Sequence, residues 1–345
     1  EWAVYQASPH ARVRCVDCHV GQSAEAQVDA KLNGLWQMIS VTFDLFERPI
    51  PTPVHNLRPA RETCERCHWP DKFYGDRIKV IAHHDDDVSS TPRYTTLALK
   101  VGSGAGARRG EIHWHVAAQN QVRYRADAAR ERMQWVEVTQ ADGSVRRFKR
   151  RGQAPATGAQ AAGDPASVEA PAPREMDCVD CHNRATHIYQ DPEQAVDRLL
   201  AEGVVDRAIP HAARRARAAL RGSYGDLDAA MAGIEVELRH GLEGGAAAAL
   251  WRPTERAIVA LRQIYRRNIH PHMGVGWNPY PDHIGHRGGG GCFRCHDREL
   301  VDQDGVAISS DCTLCHSMLA YDSPEPYHFV TEPAADAPDR QLHLY

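Results

Sequence analysis

The chain has 345 residues and a formal net charge of −4, with 41 Lys and Arg against 45 Asp and Glu. No basic tail or patch breaks that balance, so nucleic acid is not an expected partner. Aromatic residues make up 7% and the mean hydropathy is −0.52, which suits a core supplied in part by something other than side chains. The longest apolar stretch, Gly244 to Trp251, is too short to span a membrane.

Read from the start, Cys15-Val16-Asp17-Cys18-His19 is the first of five Cys-x-x-Cys-His units. The others are Cys64 to His68, Cys178 to His182, Cys292 to His296 and Cys312 to His316, and together they use all ten cysteines. Such a unit attaches a c-type haem: two thiols add across the vinyl groups of one porphyrin, and the adjacent His binds its iron. A rival reading takes Cys292, Cys295, Cys312 and Cys315 as a zinc ribbon. Zinc needs no His after each second Cys, and neither does a disulfide framework. Five such neighbours by chance have odds of about one in a million at this His frequency. The expectation is therefore five covalently bound haem c groups, with 69 residues for each. Haem c is attached outside the cytoplasm, and a first residue of Glu1 suggests that a signal or anchor segment was removed.

Between the first two motifs, Ala26 to Glu47 reads as a helix, with Leu32, Leu35, Trp36, Ile39, Phe43 and Phe46 at helical spacing. It is expected to cover a haem rather than to lie in a membrane or bind a quinone. Pro49, Pro51 and Pro53 end it. Strands are predicted at 77–82, 94–101, 111–117, 121–126, 134–140 and 145–149, with a hairpin turn at Asp142-Gly143. They make one small antiparallel sheet inserted between the second and third motifs. Within it, His113 and His115 would share a face about 6–7 Å apart. The stretch 152–175 reads as a linker. Helices follow at 191–203, 208–220, 226–240 and 254–268. Asp191 is the N-cap of the first, Pro192 opens it, Gln194 completes a capping box and Gly203 closes it. Residues 270–316 should be irregular, and the tail after Met318 an extended arm.

The fold expected is mostly α and irregular, a haem-cored multihaem cytochrome c with a small inserted antiparallel β-sheet. Its parts are an N-terminal dihaem region at 1–76, the sheet at 77–151, the linker, the third haem with a helical bundle at 176–270, and a C-terminal dihaem region with its tail at 271–345. Two weaker patterns carry no chemistry. Gly102 to Gly106 lacks the Lys-Ser/Thr ending of a phosphate loop, and Asp85 to Asp87 reads as a solvated acidic turn rather than a calcium site.

Several runs also resemble the NapC/NirT-type multihaem cytochromes c. They are Ser8-Pro9-His10 with Val13 to His19, Leu57-Arg58-Pro59, Cys64 to Pro70, Cys181 to His187, and Tyr280 to His286 before Gly291-Cys292. The likeness covers most of the chain outside the linker. It implies bis-histidine haems, a periplasmic-side location, and electron relay from quinol or between redox proteins. Members of that family usually carry an N-terminal membrane helix.

His19, His68, His182, His296 and His316 are the proximal ligands. The sixth ligand decides function, because a second His closes the iron and leaves electron transfer alone. His10, His187 and His286 lie too near their own motifs to pass round the porphyrin rim, so each is expected to ligate a neighbouring haem. His83 and one of His113 or His115 complete the set, by strand geometry and by the family resemblance. His55, His84, His211, His240, His270, His272, His283, His328 and His343 fall outside it. The expected function is electron relay outside the cytoplasm, periplasmic or extracellular, through a chain of bis-His haems. No catalytic residue is assigned. Two alternatives remain open: a subunit of a polymeric cytochrome wire, and a multihaem reductase with one open iron. Expected partners are redox proteins or a quinol-oxidising membrane complex, or further copies in a larger assembly. Any membrane attachment would come from a segment or partner outside this chain.

Overall fold

A computed structural model describes the chain except for residues 21–23, 54–58, 70–72, 105–110, 141, 153–171, 243, 281 and 329–345, and the side chains of 245–247. Most of the linker, part of the Gly-rich run, His55, His343 and most of the tail lie outside the described residues.

The N-terminal region is a series of short helices: α1 (Trp2–Gln6), α2 (Cys15–His19), α3 (Ala24–Thr42) and α4 (Ala60–Cys64). The Tyr5 hydroxyl donates to the Ala11 and Val13 carbonyls at 2.9 and 2.7 Å, folding the chain back just before the first motif. α3 matches its sequence period but leaves Leu32, Leu35, Trp36 and Ile39 exposed, with Ser40 buried instead.

Two antiparallel sheets take the place of the single inserted one. β1 (Asp76–His84) and β2 (Pro92–Lys100) form a hairpin, and β2 pairs on its other side with β8 (His316–Ser323). The start of the expected C-terminal arm is therefore a strand, because the free edge of β2 offers it a hydrogen-bond ladder. The second sheet has the order β6-β3-β4-β5-β7, built from β3 (Gln121–Ala126), β4 (Met133–Thr139), β5 (Val145–Arg150), β6 (Arg174–Glu175) and β7 (Leu300–Val301). Gly143, at φ 81, makes the tight turn between β4 and β5. Alternation along β3 buries Val122, Tyr124 and Ala126 against Met133, Val136, Phe148, Met176 and Leu300.

The predicted strand at 111–117 is a 3-10 helix, Ile112–Val116. Trp114, half-buried, packs on the core of the five-stranded sheet, and the Asn120 side-chain amide donates to its carbonyl at 2.6 Å. Docking of that one large ring overrides the β-favouring composition of the segment.

After the third motif on α5 (Cys178–Cys181) come four packed helices: α6 (Pro192–Ala201), α7 (Ala212–Arg221), α8 (Leu227–Arg239) and α9 (Gly244–Asn268). Asp191 caps α6 by accepting from the Glu193 and Gln194 amides, and Asp226 caps α8 through Ala229. α7 starts later than its period suggests, because His211 takes φ 58 and ψ 35, which a continuous right-handed helix excludes. α9 starts earlier and runs through Pro253, since the Ala-rich run before it favours helix. Their core is Ala, Leu and Ile, including Val196, Leu220, Ile234, Leu238 and Leu261. The bundle meets the three-stranded sheet through one buried polar knot. Asp197 of α6 accepts from the His84 amide at 2.9 Å and from Arg217 of α7 at 2.8 Å.

Candidate cofactor-binding site

Each motif folds as one tight turn that sets its two cysteines on the same side. In α2 and α5 the thiols stand at i and i+3 of an α-helix, where side chains are neighbours. In the last two motifs the turns are 3-10 helices, Gly291–Arg294 and Cys312–Leu314, where i and i+3 eclipse. Capping fixes these turns. Asp177 and Asp180 form a reciprocal capping box on α5, and Asp311 accepts from the Thr313 amide. The fourth turn depends on Gly291, whose φ of 58 and contact with the Gly285 carbonyl leave no room for a Cβ.

Opposite every motif histidine lies a second histidine. Ring centroids are 6.2 Å apart for His19 and His187, 6.0 Å for His10 and His68, and 6.2 Å for His113 and His182. They are 5.9 Å apart for His115 and His296, and 6.3 Å for His286 and His316. Two coaxial imidazoles on one metal should have centroids ~6.2 Å apart, taking ~2 Å per metal–nitrogen bond and about 1.1 Å from nitrogen to ring centre. All five pairs fit an iron between them. A two-residue step in a 3-10 helix turns a side chain by roughly 240°. His113 and His115 therefore diverge and face two different motifs, where the sequence reading needed only one of them.

Hydrogen bonds at Nδ1 orient the rings. His10 Nδ1 lies 3.1 Å from the Ala185 carbonyl, His113 Nδ1 2.5 Å from Val101, His115 Nδ1 2.9 Å from Ile112 and His296 Nδ1 2.5 Å from Ser309. A carbonyl only accepts, so Nδ1 carries the proton and Nε2 keeps its lone pair for a metal. A Glu1 carboxylate oxygen lies 3.2 Å from His187 Nδ1 without the geometry of a hydrogen bond. Burial pushes the His115, His182 and His187 imidazoles below the usual histidine range, so the neutral form that binds metal is the resting one.

His83 is placed elsewhere. It sits on β1 with Nδ1 3.3 Å from Asp197, in the knot that joins sheet to bundle, and it does not complete the ligand set. The β1 strand runs past the bundle rather than past a motif, which a pattern of residue types does not show. His84 shares that carboxylate at 3.1 Å. His270 Nε2 is taken by the Arg267 carbonyl. His283 has both nitrogens engaged, by the Asp180 carbonyl at 3.0 Å and Glu131 at 2.8 Å.

The motif thiols follow one another through space in chain order. Cys64 lies within the field of Cys18, and its thiol hydrogen-bonds to Cys178, which pushes Cys64 up and Cys178 down. Cys181 in turn neighbours Cys292 and Cys295, and Cys315 neighbours Cys292. Burial pushes Cys181 and Cys295 up to about 12. No two of the ten cysteines are joined by a disulfide. Among the described residues no three or more His, Cys, Asp or Glu gather as a metal site of their own, so the last two motifs do not form a four-thiolate ribbon.

Residues inside the motifs do more than space the cysteines, a role that the sequence did not reveal. Asp180, 2% exposed, accepts from the Tyr124 hydroxyl of β3 at 2.5 Å and from Arg174 at 3.2 Å. Arg294, 7% exposed, donates to the Asp180 carbonyl at 2.5 Å and so clamps the fourth motif to the third.

No family model and no solved structure matches the chain; the NapC/NirT likeness rests on the residues quoted for it. The chain is 39% identical over 324 residues to the cytochrome c-type protein ImcH of Geobacter sulfurreducens. That alignment covers 92% of this chain and 62% of the relative, so the chain spans less than two thirds of the relative's length. No helix among the described residues is long and apolar enough to cross a membrane. Cysteine pairs turned to one side, a histidine after each pair, and this likeness together support a c-type cytochrome with covalently bound haem.

Proposed function

We propose that the chain is an electron-relay module of five haem c groups, working outside the cytoplasm between redox partners. The observation that carries this reading is the set of five histidine pairs, each 5.9–6.3 Å between ring centroids and each including a motif histidine. A haem iron closed by two histidines exchanges single electrons and has no position open to substrate.

The residues of the chain hold that state in place. Cys15 and Cys18, Cys64 and Cys67, Cys178 and Cys181, Cys292 and Cys295, and Cys312 and Cys315 supply the thioether pairs. His19 with His187, His68 with His10, His182 with His113, His296 with His115, and His316 with His286 supply the axial pairs. Carbonyls at Nδ1 orient four of these rings, those of His10, His113, His115 and His296. The exposed apolar side of α3, between the first two motifs, suits a chain that packs against cofactor faces. Cross-pairing between motifs, His10 to the second and His187 to the first, draws the sites into one row, as the succession of thiols also suggests.

The test is intact mass and electron paramagnetic resonance of the full chain, exported through a c-haem maturation system. Five added haems, all low-spin, are expected. Fewer than five, or a high-spin iron in the untreated protein, overturns the reading.

A further inference from the structure

The charges at the junction of the third and fourth motifs do not cancel. The buried carboxylates there, Asp177 and Asp180, are matched by Arg130 and Arg174. Asp180 lies 3.2 Å from Arg174 and 3.7 Å from Arg130. Asp177 lies 2.8 Å from Arg174, and Asp297 2.8 Å from Arg150. Glu131 lies 2.8 Å from one ring nitrogen of His283, whose other nitrogen faces the Asp180 carbonyl at 3.0 Å. Arg294 is left over. It is 7% exposed, and its donors go to three backbone carbonyls: Gly291 at 3.0 Å, Arg130 at 2.7 Å and Asp180 at 2.5 Å. Among the described residues no ion pair reaches it.

Carbonyl dipoles satisfy the hydrogen bonds of a guanidinium but leave its net charge in place. Arg294 sits between the two cysteines of the fourth motif, in a site where screening by salt is weak.

We propose that Arg294 sets a reduction potential: its buried, unpaired guanidinium raises the potential of the fourth haem above the value it would have beside a neutral residue. This rests on the relay reading above. The step concerned moves one electron from a neighbouring haem, which is oxidised, to the fourth, which is reduced. No proton moves, and no bond forms or breaks. Charge at the fourth site falls by one, and a fixed cation held within the fourth motif stabilises that reduced form. The row then has a built-in low-energy station just before its last member. Arg294 acts on the haem by its charge and on the spacing of the two motifs by its clamp, and the experiment has to separate these.

Haem-resolved potentiometry does so, with the five midpoints read from assigned haem methyl signals in an NMR redox titration of the full chain. Arg294→Gln keeps donors to the carbonyls and removes the charge; the midpoint of the fourth haem should fall while the first, second and fifth keep theirs. Arg294→Lys keeps the charge and loses the fork; its fourth midpoint should stay near that of the wild type. If Arg294→Gln does not mature, Arg294→Lys alone decides, since a clear fall in its fourth midpoint overturns the proposal. Five unchanged midpoints in Arg294→Gln overturn it, and so do equal falls in both variants, which mark a clamp without a field. A wild-type chain with fewer than five haems, or with an open iron, instead defeats the relay reading.

Discussion

Replacing Asp197 by Ala should loosen the bond between the helical bundle and the three-stranded sheet. The Asp197 side chain is 11% exposed and that of Arg217 7%. The carboxylate accepts from Arg217 at 2.8 Å, from the His84 amide at 2.9 Å and from the His84 ring at 3.1 Å. Breaking a buried pair from one side costs about 3–5 kcal/mol, because the remaining charge is stranded. Arg217 keeps Asp86 at 2.5 Å and the His84 carbonyl at 2.8 Å, so the lower end, about 3 kcal/mol, is expected. Native-state hydrogen exchange at the amides of α6 and α7 should then speed up by roughly 100-fold, at 1.4 kcal/mol per factor of ten. The pH dependence has a definite sign. Burial works against the Asp197 carboxylate, but the His84 bond, the Arg217 charge and His83 outweigh it and hold its pKa below the usual value of 3.8. The stabilisation is therefore fully present above pH ~4 and is lost as pH falls through the lowered folded value. The variant should lack that acid limb. An exchange rate within about fivefold of the wild type, equivalent to less than ~1 kcal/mol, would refute the reasoning.

Other outcomes follow from the site. His187→Ala or His286→Ala should turn one low-spin haem in five high-spin, and an unchanged resonance spectrum removes that residue from the ligand set. Gly291→Ala should destabilise the fourth motif by at least about 1–2 kcal/mol, the cost of the left-handed conformation alone, with further overlap against the Gly285 carbonyl. A wild-type thermal midpoint with full haem loading would contradict it. Tyr124→Phe removes a hydroxyl from the buried Asp180; a loss of about 1.5–3 kcal/mol is expected for a bond to a charged group, and a denaturation midpoint equal to that of the wild type would show that Arg174, Arg130 and the Asp177 amide satisfy Asp180 without it.

The attachment residues were legible because covalent chemistry demands a fixed spacing, and nothing else in the chain competes for the ten cysteines. The steric argument sends His10, His187 and His286 each to a neighbouring motif, and each ring stands opposite the histidine of another motif. His113 and His115 were named, but the strand reading left open which of them ligates; the 3-10 helix under Trp114 gives both a motif histidine to face. His83 was misplaced because residue type cannot say which element a strand runs beside. β8 was read as a tail because pairing with β2 is non-local. Arg294 and Asp180 fill variable positions of a motif, where sequence alone gives no reason to expect a buried charge. The four helices were legible from their apolar period, and their boundaries moved only at His211 and Pro253.

The cross-pairing of histidines also bears on how such a chain is made. A polypeptide crossing a membrane emerges from its N-terminus onward. His10, His113, His115 and His286 all precede the motif histidine that each faces. Those four sites can close as soon as their motifs are exposed and loaded. The first cannot: His19 waits for His187, which follows the third motif. On the relay reading, the first haem would lack its second axial histidine until His187 has emerged. Its closure joins residues 168 apart in sequence and waits until just over half of the chain has emerged. Closure of the first site thus doubles as a check that the chain has emerged through its third motif.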